Sequence, residues 1–398
     1  MNIGIVTDFY YPWIGGPATL IRNLGYGLAA RDHAVFLLTP SPNGTPRVEY
    51  DGPLHVTRVR SHSVPFGYNL RSALRPSREV DEWLAAVRPD VLHMHHPFVL
   101  STTALLAARK ARIPVVATNH TVPECSLWGV RDHRLLYSIG NRAFSAWLKW
   151  VLERCDMVTT PTDTAARSLR DLGFPGQVHS ISNGVDAERF RPGPGDPALR
   201  ARLGLDNRPI VLYTGRLDAE KQMDVWLQAG VEVVKTLDVQ FVATGKGTDA
   251  ARLEKITRSL GLSRHVRFVG IVAEDDYAGI YRLANAYFIT SPVELQSIST
   301  LEAVASGLPV VAVDAGALPE LVHHQENGYL LAPGDWRAAA VALATILSDA
   351  NLSRGMSVAS RHISATHHLV GTVDSYESLL QQAVGRGGCI EQAAFVRT

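Results

Sequence analysis

Short apolar runs alternate with amphipathic stretches of helical length along the chain. In the first half the apolar runs lie at 3–6, 35–38, 91–92, 115–117 and 157–159. The stretches between them predict helices over 17–30, 79–87, 102–111 and 164–172. Pro17 opens the first helix, where a missing N–H costs nothing. Buried strands separated by helices predict a parallel sheet with crossover helices on both faces.

The same alternation restarts after a stretch of turn-forming residues. That stretch includes Asn183-Gly184 and continues through Pro192-Gly193-Pro194-Gly195. Apolar runs then follow at 210–213, 239–243, 266–269, 286–289 and 310–313. The fold class is therefore α/β, with two Rossmann-like parallel-sheet domains facing a cleft. The N-terminal domain covers 1–185, a linker covers 186–205, and the C-terminal domain covers 206–365. We expect 366–398 to form a last helix that packs back on the first domain and ends in a tail.

Composition and cysteine content limit where the protein works. Neither a basic start with a long apolar stretch nor a run of about 18 apolar residues is present, so we expect a cytoplasmic protein. Three well-separated cysteines, Cys125, Cys155 and Cys389, lack the spacing of a zinc site or a disulfide framework. They are interpreted as reduced thiols.

Charge is distributed unequally between the halves. Residues 1–185 contain 19 Lys and Arg against 14 Asp and Glu, and the remainder contains 20 against 24. A mildly basic first half suits an anionic partner such as a membrane surface or a phosphorylated acceptor, although scattered solvated arginines explain it at least as well. Without a basic stripe or an aromatic-basic motif, we expect no nucleic-acid partner.

Gly15-Gly16 follows the first predicted strand and precedes a helix, so backbone N–H groups at the helix start could bind an anion. An ordinary glycine turn would leave the same pattern. The Gly-x-Gly-x-x-Gly pattern of dinucleotide sites is missing here, and the second strand closes with Thr39-Pro40 instead of an acidic residue.

Two cations follow the first strand of the second half. Arg216 and Lys221 lie just after Gly215, at the strand end where open α/β sheets bind ligands. A guanidinium and an ammonium together suit a diphosphate whose charge grows as it departs. By spacing alone, two solvated surface cations are the more common explanation.

Two carboxylates eight residues apart form the richest constellation. Glu294 is predicted in a loop after a strand, and Glu302 in a helix that begins near Ser299. Such an arrangement can bind a sugar nucleotide, with sugar hydroxyls at Glu294, phosphates at the helix amides and ribose hydroxyls at Glu302. Taken alone, these residues equally suit a helix cap and a surface glutamate.

Together these motifs resemble the family 4 retaining glycosyltransferases along nearly the whole chain. The resemblance is carried by Gly15-Gly16, Asn183-Gly184-Val185-Asp186 with Phe190, Gly215-Arg216 with Glu220-Lys221, Glu294-x7-Glu302, and Ala305-Ser306-Gly307-Leu308-Pro309-Val310-Val311. It implies a GT-B architecture, a nucleotide-diphosphate sugar held mainly by the second domain, and an acceptor placed mainly by the first. It also implies no metal and no cofactor, since the donor is a substrate, and the sequence contains no Asp-x-Asp motif.

The resemblance assigns roles residue by residue. Arg216 and Lys221 would hold the diphosphate, Glu294 the sugar and Glu302 the ribose, while His120, at a predicted strand end, would lie near the transferred sugar. The catalytic set is His120, Glu294, Arg216 and Lys221. The donor-binding set is Gly16, Arg216, Lys221, Gly270, Ile271, Glu294, Leu295, Gln296, Ser297, Ile298 and Glu302. The histidines His93, His95 and His96 are interpreted as core and cleft-lining residues instead of metal ligands.

Gln296-Ser297 departs from the glycine that many members have three residues after the first glutamate. This pattern, with Thr118-Asn119-His120-Thr121-Val122-Pro123-Glu124, resembles the branch that glycosylates lipids, such as the diacylglycerol glucosyltransferases. Two segments could meet a membrane, although a solvated loop and a packed helix explain them equally. The first combines Arg58, Arg60, Arg71, Arg75 and Arg78 with Phe66, Tyr68 and Leu70, and the second is 142–154 with Trp147 and Trp150.

We therefore expect a retaining hexosyltransferase that uses UDP-glucose and a hydroxyl acceptor. Diacylglycerol is the leading acceptor, with peripheral contact at the inner face of the membrane, and a secondary metabolite or cyclitol is the rival. A sugar-nucleotide epimerase is a remote alternative that would need further acid and base residues. A sugar-nucleotide-binding regulator would have little reason to keep both Glu294 and Lys221.

Overall fold

A computed structural model describes residues 1–13, 15–64, 71–123, 128 and 133–395, with the backbone alone for 387–395. The chain divides into two compact units. Unit 1 comprises Met1–Asn183 and Val370–Thr398, and unit 2 comprises Gly184–Leu369. None of the helices within these described ranges is long and apolar enough to cross a bilayer.

Unit 1 is built on an eight-stranded sheet with the order β10-β9-β8-β7-β1-β2-β4-β3. Its strands are β1 Asn2–Thr7, β2 Ala34–Pro40, β3 Arg47–Asp51, β4 Leu54–Val59, β7 Val91–His95, β8 Val115–Thr118, β9 Met157–Thr160 and β10 Val178–Ser180. A short separate pair consists of β5 His62–Ser63 and β6 Arg71–Ser72. Every pairing in the large sheet is parallel except β3 with β4. The strand order reverses between β1 and β7, and ligands of open α/β sheets bind beyond the strand ends at such a point.

Unit 2 has a wholly parallel six-stranded sheet with the order β13-β12-β11-β14-β15-β16. Its strands are β11 Ile210–Thr214, β12 Gln240–Thr244, β13 Val266–Gly270, β14 Ala286–Ile289, β15 Val310–Val313 and β16 Gly328–Leu331. All side chains of β11, β12, β14 and β15 are buried, because helices cover parallel sheets on both faces. The order reverses between β11 and β14.

Helices connect these strands in both units. In unit 1 they are α1 Gly16–Ala29, α2 Ser77–Val87, α3 Val99–Lys110, α4 Arg134–Leu152 and α5 Asp163–Asp171. In unit 2 they are α6 Pro197–Arg202, α7 Met223–Val233, α8 Ala250–Ser259, α9 Glu274–Leu283, α10 Ile298–Ala305, α11 Trp336–Ser348 and α12 Ala350–Ser364. Single 3₁₀ turns cover Ala219–Lys221, Leu318–Glu320 and Ala365–His367. The last helix is α13 Leu369–Phe395.

The predicted linker and the last helix pack into different units. Phe190 and Leu199, from the stretch expected to be a linker, are buried in the hydrophobic core of unit 2. Helix α13 lies in unit 1, where the fully buried Tyr376 places its hydroxyl 3.3 Å from Thr118 Oγ1. Val373 on the same helix fits against Gly27, where an added Cβ would lie 2.5 Å from the valine side chain.

Candidate active site

Glycines let three neighbouring loops of unit 2 approach one another at the strand ends. Gly215 follows β11 with φ +148°, and Gly245 follows β12 with φ +122°. A Cβ on Gly245 would lie 1.9 Å from the carbonyl oxygen of Gly215, so only glycine fits there. Gly215 N donates to Thr244 O at 3.1 Å, and Gly245 N donates to Gly270 O at 2.8 Å. These bonds extend the sheet into a firm rim beside the point where the strand order reverses.

Arg216 extends from this rim and is held by two buried carboxylates. Its Nη1 donates to Asp218 Oδ2 and its Nη2 to Glu220 Oε1, both at 2.6 Å. The guanidinium keeps 31% of its side-chain surface exposed, while Asp218 and Glu220 keep 1% and 5%. Thr248 fixes Asp218 in turn, through its backbone N–H at 2.8 Å. The Arg216 guanidinium is therefore held in one orientation before any ligand binds.

Lys221 and Glu294 form an ion pair where the strand order reverses. Lys221 Nζ lies 2.8 Å from Glu294 Oε1, and the two side chains are 15% and 13% exposed. Burial lowers the pKa of Lys221, but the Glu294 and Glu220 carboxylates together outweigh that effect, so the net pKa lies above its usual value. Lys221 is a full cation at neutral pH. Thr290, just after β14, donates to the Lys221 carbonyl at 2.7 Å and ties the two loops together.

The loop after β15 supports Glu294 from behind. Ala317 N donates to the Glu294 carbonyl at 2.8 Å. Gly316 has φ +55°, and a Cβ there would lie 2.6 Å from the same carbonyl oxygen. Gly316 and Ala317 are absent from the sequence-predicted set. The glycine is visible in the sequence, but nothing local indicates that it faces Glu294.

Helix α10 begins directly after the loop that contains Glu294, which follows β14. Ser297 caps it by accepting from Thr300 N at 3.2 Å, and no acidic residue lies in its first turn. With φ −76°, Ser297 adopts a conformation open to any residue, so the absence of a glycine here causes no backbone strain. The predicted residues Leu295, Gln296 and Ile298 lie in the same loop and at the helix start, with Gln296 buried.

Glu302 lies one turn further along α10 and is almost fully buried. Tyr281 and Tyr277 of α9 both donate to its Oε2, at 2.6 and 3.0 Å. Burial raises the pKa of Glu302 to about 7, against the lowering effect of the two tyrosine hydroxyls. The sequence did not single out either tyrosine. Their spacing of four residues places them on one helix face, but it does not show which carboxylate they meet.

Gly270 ends β13 and Ile271 follows it, and both belong to the predicted donor-binding set. Gly270 has φ +73°, and its carbonyl oxygen accepts from both Gly245 N and Thr244 Oγ1. The Ile271 side chain is 51% exposed. An open apolar side chain beside a fixed backbone edge suits contact with a flat ring.

In unit 1, four histidines gather where β1, β7 and β8 end. His95 Nδ1 lies 3.0 Å from His120 Nε2, and their rings stack within 6° of parallel. His93 Nε2 lies 2.7 Å from Thr118 Oγ1, and His96 Nδ1 lies 3.3 Å from Thr7 Oγ1. Burial lowers the pKa of all four, for His93 and His96 to about 3, so the imidazoles are neutral. Within the described ranges, no three His, Cys, Asp or Glu side chains are arranged to hold a metal.

Gly16 is the first residue of α1. No side chain caps this helix, and no acidic residue lies in its first turn, so its N–H groups suit an anion. Gly15 must be small, because a Cβ would lie 2.4 Å from the Trp13 ring. The N-terminus of α3 differs, since it is already occupied by the Asp8 carboxylate through Leu100 N and Ser101 Oγ. Burial raises the pKa of Asp8 to about 6.

Two surface cavities of unit 2, of about 500 and 360 Å³, are lined by none of the predicted site residues. The larger contains Glu274, Asp275 and Asp276. A cluster of carboxylates is unsuited to a diphosphate, so this cavity is a poor site for a nucleotide-diphosphate donor.

Comparison with known proteins identifies the chain. Residues 14–189 match the family described as Glycosyltransferase Family 4, and residues 196–363 match the family described as Glycosyl transferases group 1. The chain belongs to these glycosyltransferases. The predicted enzyme class and the family are thereby confirmed.

Relatives of this glycosyltransferase differ in donor and acceptor. It is 29% identical to a GDP-mannose-dependent alpha-mannosyltransferase of Mycobacterium tuberculosis, over 84% of this chain and 85% of the relative. It is also 29% identical to an alpha-monoglucosyldiacylglycerol synthase of Streptococcus pneumoniae, over 83% and 75%. It is 31% identical to a D-inositol 3-phosphate glycosyltransferase of Rhodococcus erythropolis, over 72% and 67%.

The fold agrees with that of solved glycosyltransferases. The sucrose-phosphate synthase of Thermosynechococcus elongatus superposes with a TM-score of 0.80 at 21% identity, over 96% of this chain and 99% of that one. The glycosyltransferase thus has the predicted α/β fold, with two Rossmann-like domains of the GT-B class.

The structure describes some of the predicted membrane-facing residues and cysteines, and leaves others outside the described residues. Arg58, the first arginine of the segment that could meet a membrane, is 5% exposed and donates to Glu49 and to the Tyr11 carbonyl, so it is unavailable to a bilayer. Burial raises the pKa of the Cys155 thiol to about 12, as expected of a protonated thiol. Some predicted positions lie outside the described residues or side chains: Phe66, Tyr68, Leu70, Glu124, Cys125 and Cys389.

Proposed function

We propose that this glycosyltransferase transfers glucose from UDP-glucose, with retention at the anomeric carbon, to the hydroxyl of a lipid such as diacylglycerol. The observation that carries the donor half of the proposal is the buried Lys221–Glu294 pair beside the start of α10. A cation, a carboxylate and the N-terminus of a helix there match the parts of a sugar nucleotide.

Donor binding exchanges the partners of this pair. Lys221 and Arg216 bind the diphosphate, whose charge grows as the glycosidic bond breaks. Glu294 then accepts hydrogen bonds from sugar hydroxyls, and the start of α10 faces the phosphates. Glu302 accepts from the ribose through Oε1, since both tyrosines bond Oε2. Because these side chains provide the positive charge, transfer requires no metal and should continue in EDTA.

His120 acts as a neutral hydrogen-bonding group in this proposal. Its lowered pKa, caused by burial and by the neighbouring histidines, keeps the imidazole uncharged. The bond to His95 fixes the ring orientation, and with it the direction in which the second nitrogen points. Such a group can orient a sugar hydroxyl without adding charge.

The division of roles between the two glutamates can be tested by titration. Glu294→Gln should weaken UDP-glucose but should not weaken UDP, whereas Glu302→Ala should weaken both by about ten- to a hundredfold. Glutamine is chosen at 294 because its amide oxygen can still accept a hydrogen bond from the buried Lys221 ammonium, which alanine cannot. Equal losses of UDP affinity in both variants would contradict the assignment.

The acceptor is the less determined part of the proposal. Lipid transfer is supported by the diacylglycerol synthase among the relatives, and it would bring the enzyme into peripheral contact with the inner face of the membrane. A small soluble acceptor is the second candidate, supported by the inositol phosphate glycosyltransferase. The same relatives include a user of GDP-mannose, so the nucleotide must be tested together with the acceptor.

A matrix of donors and acceptors tests both halves. Radiolabelled UDP-glucose and GDP-mannose are each incubated with dispersed diacylglycerol, inositol phosphates and a panel of aglycones, in EDTA. We expect label from UDP-glucose in the lipid fraction, in α-linkage. Label that enters only a soluble acceptor would replace the lipid proposal, and label only from GDP-mannose would replace the donor.

A further inference from the structure

Helix α4 of unit 1 presents apolar side chains to solvent along most of its length. Leu135 is 74% exposed, Leu136 and Ile139 are each 58% exposed, and Trp147 is 41% exposed. At 3.6 residues per turn these positions fall within roughly 120° of the helix circumference and form one stripe. We call these four residues the α4 stripe. Folded proteins rarely leave such a continuous apolar face in water.

The C-terminal half of α4 packs against the rest of unit 1. Its buried residues are Leu148, Val151 and Leu152. Trp147 Nε1 donates to the Pro97 carbonyl at 2.8 Å, and the Trp147 ring stacks on Trp150. The helix is therefore anchored at its C-terminal end, and the anchoring contacts fix which side of it faces outward.

The charge of α4 points to the kind of surface that would cover the stripe. The helix contains Arg134, Arg142 and Lys149 and no Asp or Glu. Arg142 and Lys149, seven residues apart, lie along one border of the stripe. Leucine, isoleucine and tryptophan bordered by cations is the composition of helices that lie in the interface of an anionic bilayer.

A second copy of the chain fits the face less well. In a symmetric pair, the stripe of one copy would meet the stripe of the other, and three cations would approach three cations with no acidic residue on either helix. An anionic bilayer instead satisfies the apolar stripe and its cationic border together.

We propose that the α4 stripe docks on the surface of an anionic phospholipid bilayer. The inference deepens the proposed lipid acceptor and rests on it for its purpose, while the docking chemistry comes from α4 alone. Docking would hold the enzyme where a diacylglycerol acceptor resides, without a membrane-spanning segment.

Vesicle flotation tests the docking without any sugar nucleotide. The full-length chain is mixed with vesicles of phosphatidylglycerol and phosphatidylcholine, or of phosphatidylcholine alone. We expect flotation with the anionic vesicles, weakened by salt. The double variant Leu135→Ser/Ile139→Ser should lose at least about tenfold in affinity, because both side chains leave the bilayer interface. Both positions are exposed, so folding should be preserved, as circular dichroism would verify.

The matched control is Val341→Ser/Val358→Ser, which removes two valines of unit 2 that are 68% and 67% exposed. This variant should float like the wild type. Failure of the wild type to float, or equal losses in both double variants, would overturn the proposal. So would a concentration-dependent dimer, seen by sedimentation, that the Leu135→Ser/Ile139→Ser change dissociates. Failure of transfer to dispersed diacylglycerol with intact flotation would contradict the proposed acceptor alone.

Discussion

Replacing Glu302 by glutamine should make the stability of unit 2 less sensitive to pH. Burial raises the pKa of this carboxyl from 4.5 to about 7. An acid whose pKa is raised by folding binds its proton more tightly in the native state, so its contribution to stability is complete below pH 4.5. That contribution is lost as the pH rises through 7. Glutamine has no proton to lose and keeps an oxygen for the hydroxyl of Tyr281, which lies 2.6 Å from the wild-type carboxylate.

The expected size follows from the change in pKa. A rise from 4.5 to about 7 corresponds to about 3 kcal/mol between fully protonated and fully ionised Glu302. For a unit of this size, each kcal/mol moves Tm by roughly 2–4 °C. The carboxyl of the unfolded chain is already mostly ionised at pH 5, so about 2.5 kcal/mol of this difference falls between pH 5 and pH 8. The Tm of Glu302→Gln relative to wild type should therefore be about 5–10 °C more favourable at pH 8 than at pH 5.

Thermal unfolding of the ligand-free proteins at pH 5 and pH 8 measures this difference. Comparing the two proteins at each pH removes the contribution of other titrating groups, including Asp8, since both proteins contain them. It also removes any constant effect of the amide on the tyrosine hydrogen bonds. An offset in Tm that is the same at both pH values would mean that Glu302 titrates as an ordinary carboxyl, and the argument from burial would be wrong.

Three further substitutions test the site. Lys221→Ala should reduce turnover about a hundredfold or more, because the departing diphosphate loses a stabilising cation. The control Lys235→Ala, on the surface, should leave turnover unchanged, and equal turnover of the two variants would refute the donor assignment. Gly316→Ala should raise KM for UDP-glucose without lowering the affinity for UDP, because the added Cβ would press on the Glu294 carbonyl oxygen. Its control is Gly334→Ala, also at positive φ, where an added Cβ would meet no atom within 4 Å, so that only the stability of the fold should fall. His120→Ala should lower turnover more than UDP affinity in calorimetry, and the reverse result would remove it from the sugar site.

The parallel strands could be predicted from the sequence because their apolar runs are short and continuous. The predicted runs at 286–289 and 310–313 coincide with β14 and β15, which are buried on both faces. The antiparallel edge strand β3 was missed, since its side chains alternate between partly and fully exposed and contain no apolar run. Periodicity detects burial on both faces and loses strands at the edge of a sheet.

The charged members of the candidate site could be predicted, but their partners could not. Lys221 and Glu294 were assigned to different parts of the donor, and the sequence gives no sign that they pair with each other at 2.8 Å. Tyr277, Tyr281 and Gly316 were missed for the same reason. Each acts on a residue from a different strand connection, and such contacts depend on strand order, which local sequence does not encode.

Strand order also explains why the histidines of unit 1 and the cations of unit 2 each lie beside the point where the strand order of their own sheet reverses. In each sheet the chain reverses direction of growth once, between β1 and β7 in unit 1 and between β11 and β14 in unit 2. At that point the loops after the two neighbouring strands run to opposite faces of the sheet, which leaves a crevice for a ligand at the carboxyl ends of the strands. His95 ends β7, and Gly215-Arg216 follows β11. The topology therefore selects these positions, and the side chains there determine that one unit offers neutral hydrogen-bonding groups while the other offers charge.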